Sequence, residues 1–209
     1  MQGWLETWTR QVALAGALAS ACFALTWAPA AKASSFDGRL YVGPSYMQND
    51  TLIDASDSSG PALSLQLDAG LRIRAPLVLH ASVIYDYSSW LTQRDLSGVY
   101  DGSMLGFGVG LRGHLAGVVF GVVAGGQFTN FPQSDDPASG PNGASLGPLL
   151  HLGAGYEWNL PDDMTLGAHL FARFRRSKDE TVSIVYDPTG YQIGVALCFG
   201  LNGEPLFGR

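Results

Sequence analysis

The sequence predicts an all-β fold: a closed eight-stranded antiparallel up-and-down barrel that spans a membrane, preceded by a cleaved signal peptide. Three observations carry that prediction. Leu63 to Arg74 alternates apolar and polar residues at every position, so an extended chain there has one greasy face and one bearing Asp68, Arg72 and Arg74. The same dyad recurs in eight segments. Those segments are joined alternately by short and by long polar connections, the rhythm of a barrel crossing a bilayer.

Composition agrees. The 209 residues suit one domain, with 1–33 read as the signal peptide and 34–209 as the barrel. Charged residues make up only 14% and glycine is abundant at 27, yet no segment after the signal has the long apolar run of a spanning helix. Mean hydropathy is only +0.11, as expected when apolar side chains occupy every second position rather than blocks. A formal charge of -6 without any basic cluster excludes a nucleic-acid partner.

In the N-terminal stretch Arg10 supplies the positive charge, Val12 to Trp27 the apolar region, and Ala31-Lys32-Ala33 an A-x-A cleavage site before Ser34. A retained membrane helix is the plainer alternative, but the apolar run is short and ends in small residues. Cys22 suggests a lipid-modified terminus, a reading set aside because apolar sequence continues beyond it. Cys198 is then the one cysteine of the mature chain, which allows no internal disulfide.

Eight strands follow in order. The first spans Arg39–Met47, with Leu40, Val42, Pro44 and Tyr46 on one face, and the second is Leu63–Arg74. The third, Leu77–Ser88, turns Leu77, Leu79, Ala81, Val83, Tyr85 and Tyr87 outward and His80, Ser82 and Asp86 inward. The fourth, Met104–Arg112, sets Leu105, Phe107, Val109 and Leu111 against glycines and Arg112. The fifth, Val118–Thr129, opposes Phe120, Val122 and Phe128 to Gly121, Gly125 and Gln127. The sixth, Leu146–Trp158, opposes Leu150, Leu152, Tyr156 and Trp158 to His151 and Glu157. The seventh, Met164–Arg175, opposes Leu166, Leu170 and Phe174 to His169, Arg173 and Arg175. The eighth, Tyr191–Leu201, closes the barrel with Ile193, Val195, Leu197 and Phe199 outward. Pro44 and Pro148 each remove a ladder donor and are expected to mark bulges or strand ends.

Connections after strands two, four and six are short (75–76, 113–117, 159–163), whereas 48–62, 89–103, 130–145 and 176–190 are long and polar. Short turns on the periplasmic side place both termini there. A strand of twelve residues at roughly 3.3 Å each, tilted near 45°, rises about 28 Å, close to the hydrocarbon thickness of about 30 Å. Aromatics gather where strands leave that layer. Tyr85, Tyr87, Trp90, Phe128, Phe174 and Tyr191 form a belt toward the long connections, and Tyr156, Trp158 and Phe199 one toward the turns.

On these segments the chain resembles the small eight-stranded outer-membrane proteins, the family of the OmpA transmembrane domain and OmpX. The resemblance covers Ser34–Arg209 and lies in architecture rather than in a residue signature. Tyr191-Gln192-Ile193-Gly194-Val195-Ala196-Leu197-Cys198-Phe199 is similar to the C-terminal signal that the barrel-assembly machinery reads in such proteins, although here residues 200–209 follow it. The resemblance implies a bare barrel in the bacterial outer membrane, with lipids and lipopolysaccharide as its surroundings.

An eight-stranded barrel is just wide enough to be filled by its own side chains. The expected lumen therefore holds Asp68, Arg72, Arg74, Asp86, Arg112, Glu157, Arg173 and Arg175 as a charge network plugged by polar residues. Asp86 and Asp68 are expected to neutralise the arginines toward the long connections, and Glu157 those near the periplasmic mouth. Catalysis is not expected. His80, His151 and His169 fall on inward faces and His114 in a turn, with no serine and acid spaced to form a triad at the rim. Acidic residues of the connections, such as Asp54, Asp135, Asp136 and Asp179, lack the spacing of a calcium loop, so no cofactor or metal is expected. The expected role is a monomeric structural or surface-interaction barrel. A narrow solute channel is the alternative, followed by a soluble lipocalin-like barrel with its faces reversed.

Overall fold

The computed structural model describes residues 35–50, 58–74, 76–93, 96–131, 143–176 and 189–202, without the side chains of 49, 50, 58, 89–93, 96–101, 130, 131, 143–146 and 189. Backbone contacts separate Met1–Ser34 from Ser35–Arg209. Residues 1–33, read from the sequence as a signal peptide, the acidic residues named above and the side chain of Trp90 lie outside the described set.

Eight strands follow one another: β1 Phe36–Asp50, β2 Ser58–Arg74, β3 Leu77–Gln93, β4 Leu96–Leu115, β5 Val118–Phe131, β6 Gly143–Asn159, β7 Met164–Arg176 and β8 Thr189–Leu201. Each pairs antiparallel with the next, and β8 returns to β1 through pairs such as Leu40 with Phe199 and Tyr46 with Ile193, closing the cylinder. Closure is what a β-structure in hydrocarbon requires, because an open edge would leave backbone donors and acceptors without partners. The dyad then dictates the two faces. Leu63, Phe107, Val109, Phe120, Leu170 and Ile193 point outward and are exposed, while Asp68, Arg112 and Arg173 on the opposite face are buried. A lipocalin-like barrel needs the reverse arrangement.

The strands are longer than the alternation alone suggests, and the growth lies toward the long connections. β3 and β4 continue as a hairpin to Gln93 and Leu96, through a stretch the sequence assigned to a loop. The register between them slips between Ser88 and Leu91 and again between Thr92 and Gln93, so the two-residue period is broken there. Pro44 and Pro148 cause no slip, whereas Pro61 lies within the β2–β3 shift between Ser59 and Leu63. The β1–β8 register is the same on either side of Gly43 and Pro44, where two pairs are missing from the ladder. Pro148 lies one residue beyond the last β6–β7 pair, Leu149 with Arg175, so its missing N–H falls outside that ladder. Glycine permits close strand contact. A Cβ at Gly125 would run into the backbone of Phe107 and Gly108 on β4, an approach that only a residue without a side chain permits.

The rim with the short turns is tightly made. His114 closes β4 in a strand pair with Val119, not in a turn as the sequence suggested, because the turn itself is only Ala116-Gly117. Both turn residues have positive φ, 52° and 86°, the signature of a two-residue type I′ hairpin whose twist matches the flanking strands. In the β6–β7 turn Asp162 and Asp163 take positive φ, which short polar side chains tolerate. The amide of Asn202 donates to the carbonyl of Asp163 at 2.8 Å, tying the end of β8 to that turn.

Ala116 is the costly residue of this rim, since a Cβ in the left-handed region is opposed by about 1–2 kcal/mol. Replacing it, Ala116→Asn, gives the favoured Asn-Gly pair. The variant should unfold at higher urea than the parent in lipid vesicles, by about 1 kcal/mol in stability.

Candidate functional site

The lumen is the candidate site, and it is built by inward residues of all eight strands. Its turn-side part centres on Asp37 of β1. Three guanidinium groups from three strands reach this carboxylate: Arg39 at 3.1 Å, Arg72 at 3.2 Å, and Arg112 in a closer ion pair. Arg112 also holds Asp68 at 3.0 Å, and Arg39 holds Glu157 at 3.2 Å. Three arginines thus face three carboxylates. Asn202 caps the group, accepting from Arg39 at 2.5 Å and from Arg72 at 2.9 Å.

Nearer the long connections, Arg173 of β7 pairs with Asp86 of β3. It also donates to Ser64 Oγ at 2.6 Å, to Gln66 Oε1 at 3.2 Å and to Nδ1 of His151 at 3.0 Å. Its guanidinium lies 4.4 Å from the centre of the Phe171 ring, a cation–π contact in a dry setting. Gln66 in turn donates to Asp68 at 2.9 Å and so joins the two parts. Hydrogen bonds and ion pairs therefore run without a break from Asp86 through Arg173, Gln66, Asp68, Arg112, Asp37 and Arg39 to Glu157. Between them a cavity of about 30 Å³ is lined by Tyr41, Asp68, His80, Arg112, His151 and Arg173, room for little more than one water molecule.

The eight sequence-assigned lumen residues fall out as follows. Asp68, Asp86, Arg112, Glu157, Arg173 and Arg175 are buried on the inner face, and Arg72 is half-buried. Arg74 is exposed at the rim. The β2–β3 register slips between Arg72 and Arg74, which removes the last residue from the alternation. Asp68 serves Arg112 near the turns rather than an arginine toward the long connections. Arg175 lies beside Met104, its Nη1 3.6 Å from the sulfur. Sequence reasoning missed Asp37, Arg39 and Tyr41. They share the parity of β1's inner face, but the strand was started three residues late and its apolar face alone was examined.

The plug is also less polar than expected. Met47, Val78, Ile84, Met104, Val119, Val123, Leu149 and Phe171 are buried on the inner face, and Ile84, Met104 and Leu149 pack together. Apolar side chains fill the space between charged ones without asking for partners. His80, His151 and His169 are buried too. Ser82 donates to Asp68 at 2.7 Å and stands 3.0 Å from His80 Nδ1, so serine and histidine both turn to the same acid inside a closed wall. The aromatic belts lie outside. Phe128, Phe174 and Tyr191 are exposed and Tyr85 and Tyr87 half-exposed toward the long connections, with Tyr156, Trp158 and Phe199 exposed toward the turns. Tyr156 and Trp158 make an edge-on pair at 5.2 Å.

No protein-family model matches the chain, and no curated protein matches its sequence. Solved structures do match in fold. AlkL in lipid bilayers superposes with a TM-score of 0.53 at 11% identity, over 85% of this chain and 94% of that one. Neisserial surface protein A gives 0.47 at 13% identity over 81% and 97%. Ail of Yersinia pestis gives 0.44 at 12% identity over 79% and 99%. The fold is that of the small eight-stranded outer-membrane barrels.

Removing one member of a buried ion pair leaves a bare charge, at a cost of about 3–5 kcal/mol. Asp86→Ala and Asp37→Ala should each lose that much in urea unfolding, and Arg74→Ala, at the exposed rim, less than about 0.5 kcal/mol. Equal midpoints for the three variants would refute the placement of the network.

Proposed function

We propose that the protein is an integral barrel of the bacterial outer membrane with a structural or surface-interaction role, non-catalytic and closed to bulk solute flow. One observation carries this reading: an apolar exterior wraps an interior filled by paired charges. The exterior suits hydrocarbon between two aromatic belts. The interior is occupied by Arg39, Arg112, Arg173, Met47, Ile84, Met104, Gln127 and Gln192, all under 2% exposed. A channel needs that space as water.

The location is supported by the fold shared with outer-membrane barrels and by the strand ends. Phe36 pairs with Leu71 and Gly38 with Leu201, so the barrel begins and ends at the rim of the short turns, the periplasmic side in such proteins. Outer-membrane lipids and lipopolysaccharide are its proposed surroundings, and the β8 sequence its address for the assembly machinery. A serine whose hydroxyl donates to a buried carboxylate has no substrate face, which supports a non-catalytic lumen.

Heat-modifiable gel migration of detergent-folded protein, followed by planar-bilayer recording on the same sample, tests the proposal. The expected result is a faster-migrating unboiled band and no steady current. A stable ohmic conductance would refute the closed interior, and full solubility of the folded chain without detergent would refute the membrane location.

A further inference from the structure

Beside the arginine cluster, three potential metal ligands from three adjacent strands converge. Glu157 of β6 pairs across the ladder with Gly167 of β7, and Gly167 with Cys198 of β8. The middle residue of that row has no side chain, and a Cβ there would stand 2.8 Å from Cγ of Glu157. Gly167 thus leaves a gap, and His169, two residues further along β7, closes it from above. One donor atom from each of Glu157, His169 and Cys198 lies within 4.8 Å of the other two. Oε1 of Glu157 is 3.3 Å from His169 Nε2 and 3.5 Å from Cys198 Sγ.

These separations have a chemical meaning. Zinc–ligand bonds of about 2.0–2.3 Å in a tetrahedron place oxygen, nitrogen and sulfur donors roughly 3.3–3.6 Å apart. The two measured spacings fall in that interval. All three side chains are buried: Glu157 is 3% and His169 6% exposed at the side chain, and Cys198 is fully buried. His169 Nε2 points into the group, 3.3 Å from Oε1 of Glu157 but not in a well-aligned hydrogen bond. A metal ligand bond would replace this poorly aligned contact of a buried ring nitrogen. The ring itself is steadied by Tyr41, edge-on at 5.1 Å.

We propose that Glu157, His169 and Cys198 form a binding site for one thiophilic metal ion, Zn(II) or Cu(I), in the wall of the lumen. The ion replaces the thiol proton of Cys198, which leaves for solvent. Arg39 stays on Glu157, with Nη2 3.2 Å from Oε2, and orients the carboxylate as an outer partner of a ligand does. The surrounding three arginines and three carboxylates balance one another. Cu(I) in exchange for one proton leaves that balance unchanged, and Zn(II) adds one positive charge. Imidazole and thiolate suit either ion, and the carboxylate favours zinc.

The test uses detergent-folded protein, its fold checked by heat-modifiable migration, incubated with Zn(II) in one arm and Cu(I) under reductant in the other. After desalting, the expected stoichiometry is one ion per barrel in at least one arm, and Co(II) as a probe should show a thiolate-to-metal charge-transfer band. Cys198→Ser and His169→Gln should each weaken binding about tenfold or more, with Arg74→Ala unchanged. Should Cys198→Ser fail to fold, protection is read on the parent protein: bound metal should slow alkylation of Cys198, followed by mass spectrometry of its peptide. No retained metal in either arm overturns the proposal. So does undiminished binding by folded Cys198→Ser, or alkylation of Cys198 at the same rate with and without metal.

Discussion

Electroneutrality in a space with little room for water governs this molecule. A cylinder of eight strands leaves an interior of side-chain dimensions, and every charge placed there loses its hydration. Such charges persist only when each meets a partner, and the run of hydrogen bonds and ion pairs from Asp86 to Glu157 is how these strands meet that condition. Asp37 is its most demanding member. It gathers guanidinium groups from β1, β2 and β4, so those strands hold their relative height as well as their register. Ladder hydrogen bonds fix neighbours in pairs; the interior ion pairs fix strands across the lumen, such as β7 with β3 through Arg173 and Asp86.

Long side chains inside a small cylinder require others to be absent. Gly110 lies where a Cβ would strike the His80 ring, and Gly200 where it would strike the Arg39 side chain. Each glycine is the cavity that its neighbour occupies. The high glycine content and the buried arginines are therefore one feature seen twice, which explains how a chain so poor in charge concentrates five arginines on the inner face. Outside, no such economy is needed, and apolar side chains, mostly Leu, Val, Ala and aromatics, recur along the strands.

The fold was legible because its signal is redundant. Eight repeats of a two-residue period, with connections alternating in length, leave few other ways to satisfy backbone groups in hydrocarbon. The faces of Leu63–Arg72 and of β7 follow from parity alone. Legibility ended where the ladder slips. Arg74 and the β3–β4 hairpin beyond Ser88 lie past register shifts, which local alternation does not foretell. It also ended at partner choice. Parity places Asp68 indoors, but whether it meets Arg112 or Arg173 depends on strand tilt and on how far each arginine reaches, both properties of the closed cylinder. Asp37 and Arg39 were readable by the same parity, once β1 is extended back to Phe36.

A filled interior and a hydrocarbon-facing exterior constrain function by elimination. On the proposed reading neither surface offers a macromolecule in water a place to dock, which leaves the two rims for such contacts. The rims are not alike. The turn side is braced by a type I′ hairpin, by the Asn202–Asp163 hydrogen bond and by Asn202 over Arg39 and Arg72, and it has little backbone to spare for recognition. At the other rim β1 to β4 run on past the inner network, to Asp50 and Ser58 and to Gln93 and Leu96. The length of these strand pairs is intelligible as support for the connections they bear.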